Sequence, residues 1–309
     1  MGNSGLKSFA KEMKHDLRKN RTIYLLFLPV LAYFIIFSYV PMVGAQIAFR
    51  DFVPTKGMWG SAWVGLTHFK DFFNSYYFSR LIRNTLMISV QDIIFGFPAP
   101  ILLALIVNEI RNRHVKSITQ TITYLPHFVS LVVICGIIKD FLRGDGIINN
   151  LLVGMGLEKI AFLIEPSWFR PIFVGTNIWQ QTGWGAIIYL AALTGIDQQL
   201  YEAASIDGAK KLRQLWHITL PGIRPTILIM FILRIGKIMT VGYEKVLLLY
   251  NENTYEVADV ISTFVYRKGI LEASYSYSTA VDLFNSIINF TLLVLFNKLC
   301  RRFFESSLW

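Results

Sequence analysis

The sequence predicts an all-α, polytopic membrane protein with six transmembrane helices. Hydrophobic residues make up 54% of the 309-residue chain and charged residues only 16%, whereas about 25% of residues are charged in an ordinary soluble domain. Several apolar stretches also reach the ~20 residues that a helix needs to cross the hydrocarbon core. We predict spans at residues 22–45, 84–107, 117–139, 169–194, 223–250 and 279–300.

These spans form one predicted membrane domain, residues 22–300, between a basic segment at 1–21 and a tail at 301–309. The first apolar run extends from Ile23 to about Ala45, which is longer than the ~7–15 apolar residues of a secretory signal peptide. We therefore expect an uncleaved first span. The connection that follows it, 46–83, is rich in aromatic residues and is expected either to form an interfacial belt or to contact an external partner.

Basic residues alternate with acidic ones from one connection to the next. Lysine and arginine collect before the first span, in the second connection (NEIRNRHVK), around residues 210–224 and after the sixth span. The third and fifth connections carry most of the carboxylates. Because cytoplasmic loops collect Lys and Arg, we predict that both termini and the loop at 198–222 are cytoplasmic. The net charge of +10 then reflects membrane orientation, and no nucleic-acid partner is predicted.

The charged stretch YEAASIDGAKKLRQLWHITLP, residues 201–221, interrupts the apolar runs. Its small residues favour a short helix that a neighbour can approach closely, and Gly208 can take a positive φ at a turn. A second helix is predicted after the turn, with Leu212 and Trp216 on one face and Pro221 at its end. The stretch is either a docking surface for a protein or an amphipathic helix on anionic lipid.

Glu202-Ala203-Ala204, then Asp207-Gly208-Ala209, then Leu220-Pro221 resembles the EAA loop of binding-protein-dependent ABC importer permeases. Trp216 stands where that family usually has Phe. The segments YLPHFVSLVVICGI, YEVADVISTFVYRKGI and ESSLW are similar to permeases for oligosaccharides, in the lipoprotein/polysaccharide-type branch of the family. The resemblance covers about residues 20–309.

This resemblance implies the type I ABC importer architecture, in the plasma membrane of a bacterium. It implies an assembly with a second permease subunit in a heterodimer, two cytoplasmic ATPase subunits and an extracellular solute-binding protein. It also implies alternating access, driven through a coupling loop that docks on an ATPase. The residues implied for coupling are Glu202, Ala203, Ala204, Asp207, Gly208, Ala209, Leu220 and Pro221.

The sequence has no G-x-x-x-x-G-K-[ST] motif, which would cradle nucleotide phosphates. We therefore expect ATP and Mg²⁺ on a partner and no cofactor on this chain. It also lacks H-E-x-x-H, G-x-S-x-G and paired-cysteine motifs, so no enzymatic activity is predicted. His127 and His217 are interpreted as structural residues, and Cys135 and Cys300 are not expected to form a disulfide.

Two cations lie within the predicted fifth span, Arg234 and Lys237. Charges inside spans usually face protein or a water-filled path, so these side chains suit an anionic solute such as a uronate-containing oligosaccharide. Tyr243 and Glu244 follow on the same segment. The alternatives are an ion pair with Asp92 or Asp282, or contact with a partner permease.

The predicted fourth span carries Asn177, Trp179, Gln180 and Gln181. Amide groups can hydrogen-bond sugar hydroxyls, and an indole can pack on a pyranose ring. The alternative is hydrogen bonding between helices together with close packing at Gly183 and Gly185. Asp92, Asn285 and Asn289 are interpreted as polar residues that hold helices together.

Two other function classes remain open from the residues. An ion-coupled secondary transporter favours buried carboxylates and inverted repeats; Asp92 fits that class, but no repeat is visible and the 201–221 stretch stays unexplained. A membrane enzyme of polysaccharide metabolism would need a catalytic constellation, which the motifs do not supply.

Overall fold

The structure is a computed structural model that describes Asp16 and residues 19–304, and it is mostly helical. Lys7, Lys11, Lys14 and Arg18 of the predicted basic segment, and the terminal ESSLW, lie outside the described residues. The chain divides into two compact units, the first ending at Thr67 and the second beginning at His68.

The first unit contains a long apolar helix and a small hairpin. The helix runs through Arg21–Phe49 and is apolar enough to cross a membrane. Arg50 lies beside the rings of Trp59 and Trp63, with its Cζ 5.7 and 5.5 Å from their centroids. The elements are α1 (Arg21–Phe34), a π-helical turn (Ile35–Tyr39), α2 (Val40–Met42), a 3-10 helix (Val43–Phe49), β1 (Arg50–Asp51), a 3-10 turn (Pro54–Lys56), α3 (Gly57–Gly60) and β2 (Ala62–Trp63), which pairs antiparallel with β1.

The second unit is built from helices that pack around one long central helix. These helices are α4 (Thr67–Phe73), α5 (Tyr77–Gln91), α6 (Pro98–Glu109), α7 (Arg113–Phe128), α8 (Leu131–Leu142), α9 (Ile147–Gly154), α10 (Pro166–Thr194), α11 (Gln198–Ile206), α12 (Lys211–Gln214), α13 (Leu220–Ile235), α14 (Tyr243–Leu249), α15 (Tyr255–Ala258), α16 (Ile261–Tyr266) and α17 (Tyr275–Phe304). Shorter turns are π-helical at Asp92–Gly96, Leu215–Thr219 and Arg267–Leu271 and 3-10 at Glu252–Thr254.

Within the described residues, four helices are long and apolar enough to cross a membrane, or five if one bent pair counts as a span. The helices are Arg21–Phe49, Tyr77–Glu109, Lys211–Ile235 and Tyr275–Arg302. The predicted third span is not straight: Arg113–Phe128 and Leu131–Gly154 meet at 102°. Ser130 begins the second arm, where its hydroxyl accepts from the backbone of Val133, and such an N-cap favours a new helix start.

The predicted fourth span corresponds to α10, which is 29 residues long but is not apolar enough to meet the same criterion. Its polar residues are accommodated because the helix is the centre of the unit. Phe169, Phe173, Gly183 and Leu193 are all buried along it. Protein therefore replaces lipid around much of this helix, and hydropathy underestimates its capacity to span.

The fifth predicted span is wrong at both ends. α13 ends at Ile235 rather than near residue 250, and α14 is a separate helix. Asn289 of α17 stabilises this break: its Oδ1 accepts from the Met239 amide at 2.9 Å, and its Nδ2 donates to Thr240 Oγ1 at 2.9 Å. The interpretation of Asn289 as a residue that holds helices together therefore agrees with its contacts.

Pro221 does not end the preceding helix, contrary to the sequence prediction. The helix continues through the π-helical turn Leu215–Thr219 into α13, and Pro221 lies in the first turn of α13. Proline is tolerated where its missing N–H removes no required hydrogen bond, and a π-helical turn changes the bonding pattern locally. Apolar spacing alone did not reveal that turn.

Gly183 brings α10 against α7. A Cβ at this position would overlap the backbone carbonyl of Thr123, whereas a Cβ at Gly175, on the same helix, meets nothing within 4 Å. We therefore expect Gly183→Ala to destabilise the protein by about 1–3 kcal/mol, the usual cost of overpacking. Thermal unfolding in detergent would check this, with Gly175→Ala as the control; equal melting temperatures for the two variants would contradict the close approach.

Candidate functional site

A cavity of about 830 Å³ lies among α5, α6, α10, α13 and the segment that leads into α14. It collects most of the side chains that the sequence suggests for solute contact. Those that line it are Asn177, Gln180, Gln181, Arg234, Lys237, Tyr243 and Glu244.

Trp179 is the member of the predicted solute set that the cavity does not include; its side chain is exposed elsewhere on α10. Trp184 lines the cavity instead and stacks on His127, with ring centroids 4.5 Å apart and planes at 1°. His127 Nδ1 and Gln181 Oε1 lie 3.1 Å apart, within hydrogen-bonding distance. Helical spacing gives the missed signal, because residues 177, 181 and 184 share a face that residue 179 does not.

Arg234 forms an ion pair with Asp92. Asn177 Nδ2 also donates to Asp92 Oδ1, at 2.6 Å. Gly96 makes room for this carboxylate, since a Cβ there would come within 2.9 Å of Asp92 Oδ1. Of the two ion-pair partners that the sequence suggests for Arg234, the structure therefore selects Asp92 rather than Asp282.

This pairing changes the charge balance of the cavity. The Asp92 carboxylate offsets the Arg234 guanidinium, whereas Lys237 is exposed and forms no ion pair among residues 19–304. Lys245, which follows Glu244 in the sequence but is not among the residues predicted for solute contact, also lines the cavity and is only 5% exposed. The sequence signal for Lys245 is its place at the start of the apolar run VLLLY, since charged residues are rare in such runs. The cavity thus carries two lysines that are not ion-paired within that part of the chain.

A second candidate site is the 198–222 loop. α11 begins after Asp197, whose side chain caps it by accepting from the Gln199 amide at 2.9 Å. Gly208 follows α11 with φ +74°, so the expectation of a positive φ is confirmed. The Ala209 amide then donates to the Ala204 carbonyl at 2.8 Å, which closes the bend as a helix C-cap.

Side-chain hydrogen bonds hold the two arms of this bend together. Gln214 Nε2 donates to Ser205 Oγ at 2.9 Å and to the Ala209 carbonyl at 3.2 Å. The hydroxyls of Tyr201 and Thr219 lie 2.9 Å apart. These bonds cross the bend, so they fix α11 against the segment that leads into α13.

The surface of the loop is unusually apolar for a charged segment. Ile206, Leu212 and Trp216 are 87%, 72% and 66% exposed. Glu202, Ala203, Asp207, Gly208 and Pro221 are exposed, and Ala204, Ala209 and Leu220 are half-buried. Large exposed apolar side chains beside charged ones are typical of a protein interaction site.

A buried ionic network lies at the ends of α5 and α10 that are far from the 198–222 loop. Both helices begin at this network and run toward the loop. Asp259, 1% exposed, accepts from Arg80 at 3.2 Å and Arg267 at 2.8 Å. Burial lowers the pKa of Arg267, but the hydrogen bond and charge of Asp259 outweigh it and raise that pKa. Asn84 Nδ2 donates to the Asp259 carbonyl at 3.0 Å, and its Oδ1 accepts from Arg170 at 3.0 Å.

Known proteins resemble this chain in sequence and in fold. Residues 96–250 match the family described as binding-protein-dependent transport system inner membrane component. Protein LplB of Bacillus subtilis is 47% identical, over 95% of this chain and 92% of its own length. YteP of the same organism, a polygalacturonan/rhamnogalacturonan transport system permease protein, is 44% identical over 98% and 95% of the two chains.

Among solved structures, a chain of a bacterial ABC transporter involved in the import of the acidic polysaccharide alginate has a TM-score of 0.88 and 41% identity. The match covers 95% of this chain and 99% of that one. A chain of a bacterial alginate ABC transporter, solved in complex with an alginate pentasaccharide-bound periplasmic protein, matches with the same TM-score and coverage.

Proposed function

The chain belongs to the family of binding-protein-dependent transport system inner membrane components, and we propose that it carries acidic, uronate-containing oligosaccharides. It is a multi-pass membrane permease with the type I ABC importer fold, and it serves a sugar or oligosaccharide importer as a subunit that is not itself an enzyme. The resemblance recognised in its EAA loop is confirmed. The chemical identity of the solute and the mechanism of the subunit are what we propose below.

The charge of the cavity supports an acidic solute. Arg234 is offset by Asp92, whereas the exposed Lys237 is a cation that carboxylates can approach, and the buried Lys245 adds a second positive charge to the cavity wall. Trp184 offers a ring for a pyranose face, and Gln180 and Gln181 offer amides for hydroxyls. YteP is named for polygalacturonan and rhamnogalacturonan, and the alginate transporter imports an acidic polysaccharide. The proposal is carried by one observation: no carboxylate in the part of the chain that the structure describes pairs with Lys237 or Lys245.

We propose that the 198–222 loop is the coupling loop and docks on one of two cytoplasmic ATPase subunits, which bind ATP and Mg²⁺. ATPase closure would move α12 and α13 together and open the cavity outward; hydrolysis and release would return it inward. ATP and the solute can shift the equilibrium between the outward-open and inward-open states only through contacts that differ between those states. The bend's internal hydrogen bonds and the exposed Ile206, Leu212 and Trp216 support this role.

The proposed assembly includes a second permease subunit in a heterodimer and an extracellular solute-binding protein that delivers the sugar. Asp282 supports the second permease subunit as a partner that covers one face of α17. This exposed carboxylate forms no ion pair in the described part of the chain. Carboxylates in spans usually face protein or water. We further propose six crossings, with the third and fifth broken, and both termini in the cytoplasm of a bacterium.

Nothing favours the ion-coupled secondary transporter. Asp92 was its candidate ion site, and Arg234 and Asn177 already engage that carboxylate.

Reconstitution tests the proposal. The permease, purified with its co-expressed partners and placed in liposomes, is expected to take up oligogalacturonides only with ATP and the binding protein. Titration of the binding protein with acidic and neutral oligosaccharides of equal length is expected to show preference for the acidic set. Uptake of neutral sugars alone would remove the acidic assignment, and uptake without the ATPase would contradict the coupling role.

A further inference from the structure

Lys245 is a buried cation in the cavity wall without a counter-ion. It is 5% exposed, and its Nζ has no hydrogen-bond partner among the described residues. The Nζ lies over the ring of Phe173, 4.8 Å from the centroid. A cation–π contact offsets only part of the cost of burying an ammonium group. The conformation therefore keeps an unsatisfied positive charge beside the cavity.

The other charged groups of the cavity do not satisfy Lys245. Asp92 is engaged by Arg234 and Asn177. Glu244 lines the cavity but is exposed and forms no ion pair within residues 19–304. Buried charges are normally paired, so the missing partner of Lys245 points to a ligand.

Phe173 is the aromatic neighbour of the buried ammonium. It lines the cavity and packs with Phe169, Val174, Val246 and Leu249 in a buried apolar cluster. This cluster joins α10 to α14, the helix that carries Lys245. A change in the packing of α10 against α14 would move the ring from the ammonium and uncover it.

We propose that Lys245 is the receptor for a sugar carboxylate and that Phe173 masks it in the conformation seen here. The inference rests on the proposed transport of acidic oligosaccharides and names the residue that selects their charge. When the cavity opens, Lys245 Nζ donates to a uronate carboxylate, and this contact supplies the missing counter-ion. A charge-assisted hydrogen bond of this kind is stronger than one between neutral groups.

A charge-neutral variant provides the first test. Liposomes with the full transporter are assayed for uptake of trigalacturonate and of its methyl ester, which has the same length without the charge. Lys245→Met is expected to lower trigalacturonate uptake at least tenfold and to leave ester uptake within twofold of the unmodified protein. Lys245→Arg is expected to recover part of the loss. Lys268→Met, which removes a half-buried lysine paired with Glu272, is the control and should change neither rate.

The outcomes separate this inference from the proposed function. Equal loss of both substrates in Lys245→Met, with the complex still assembled and hydrolysing ATP, would overturn the charge-selecting role alone. Absence of uptake of either substrate by the unmodified transporter would overturn the proposed function itself.

Labelling tests the mask without any variant. A water-soluble amine-reactive ester is expected to modify Lys245 slowly in the nucleotide-free transporter and at least tenfold faster when ATP traps it before hydrolysis. Trigalacturonate should slow the second reaction, and its methyl ester should not. Equal labelling in every state, measured by mass spectrometry, would contradict masking by Phe173.

Discussion

Gly208→Asp is expected to abolish ATP-driven uptake while the permease still inserts and folds. Gly208 takes φ +74°, and a Cβ there would meet no atom of this chain within 4 Å. Aspartate tolerates this backbone region better than most residues. The new carboxylate therefore does little harm within the chain but stands where the proposed ATPase cleft would close on the loop. Uptake into proteoliposomes and co-purification of the ATPase would measure the two effects.

Gly156 offers a matched control for this variant. It also has a positive φ, +81°, and open space around its missing side chain, but it lies after α9, outside the 198–222 loop. Gly156→Asp should carry the same backbone cost and keep uptake within about twofold. Full transport by Gly208→Asp, or equal loss in both variants, would show that the loop does not transmit force from the ATPase.

Asp259→Asn is expected to cost about 3–5 kcal/mol of stability, the usual range when one partner of a buried ion pair is removed. The carboxylate is 1% exposed and receives both Arg80 and Arg267, so the amide would leave two guanidinium groups short of a counter-ion. The loss should appear as a large drop in the apparent melting temperature of the purified protein.

Glu256→Gln is the control, because that carboxylate is 77% exposed and lies 3.9 Å from Arg83. An exposed pair contributes about 0–1 kcal/mol. The melting temperature of Glu256→Gln should therefore remain close to that of the unmodified protein. If Asp259→Asn and Glu256→Gln had the same melting temperature, the ion pairs of Asp259 would not be a main stabilising contact between α5 and α16.

Local chemistry explains why the bend at Gly208 in the 198–222 loop could be predicted. Its small residues, its glycine bend and the spacing of its motif are properties of neighbouring residues, so they can be recognised without knowing the fold. The positive φ of Gly208 follows from the same reasoning. Pro221 was misread because a π-helical turn has no reliable apolar signature.

The cavity was predicted in part for a different reason. Asn177, Gln181, Arg234 and Lys237 stood out because polar groups are rare in spans. Trp179 is predicted from its depth in the span and from the ability of an indole to pack on a pyranose ring. The face of α10 decides which indole reaches the cavity, and that indole is Trp184. Residue type therefore located the region, and rotation about the helix axis selected the side chains.

By itself, the sequence determined the class of protein, the family through its loop motif, and the segments that hold polar groups at membrane depth. These depend on composition and short-range spacing. Only the tertiary structure decided that Asp92 pairs with Arg234 and that α13 ends at Ile235. It also decided that Lys245 lies over Phe173 with no ion-pair partner among the described residues. These features depend on residues far apart in the chain, since even the break after Ile235 is held by Asn289 of α17, and they follow from how the helices pack, which no local pattern encodes.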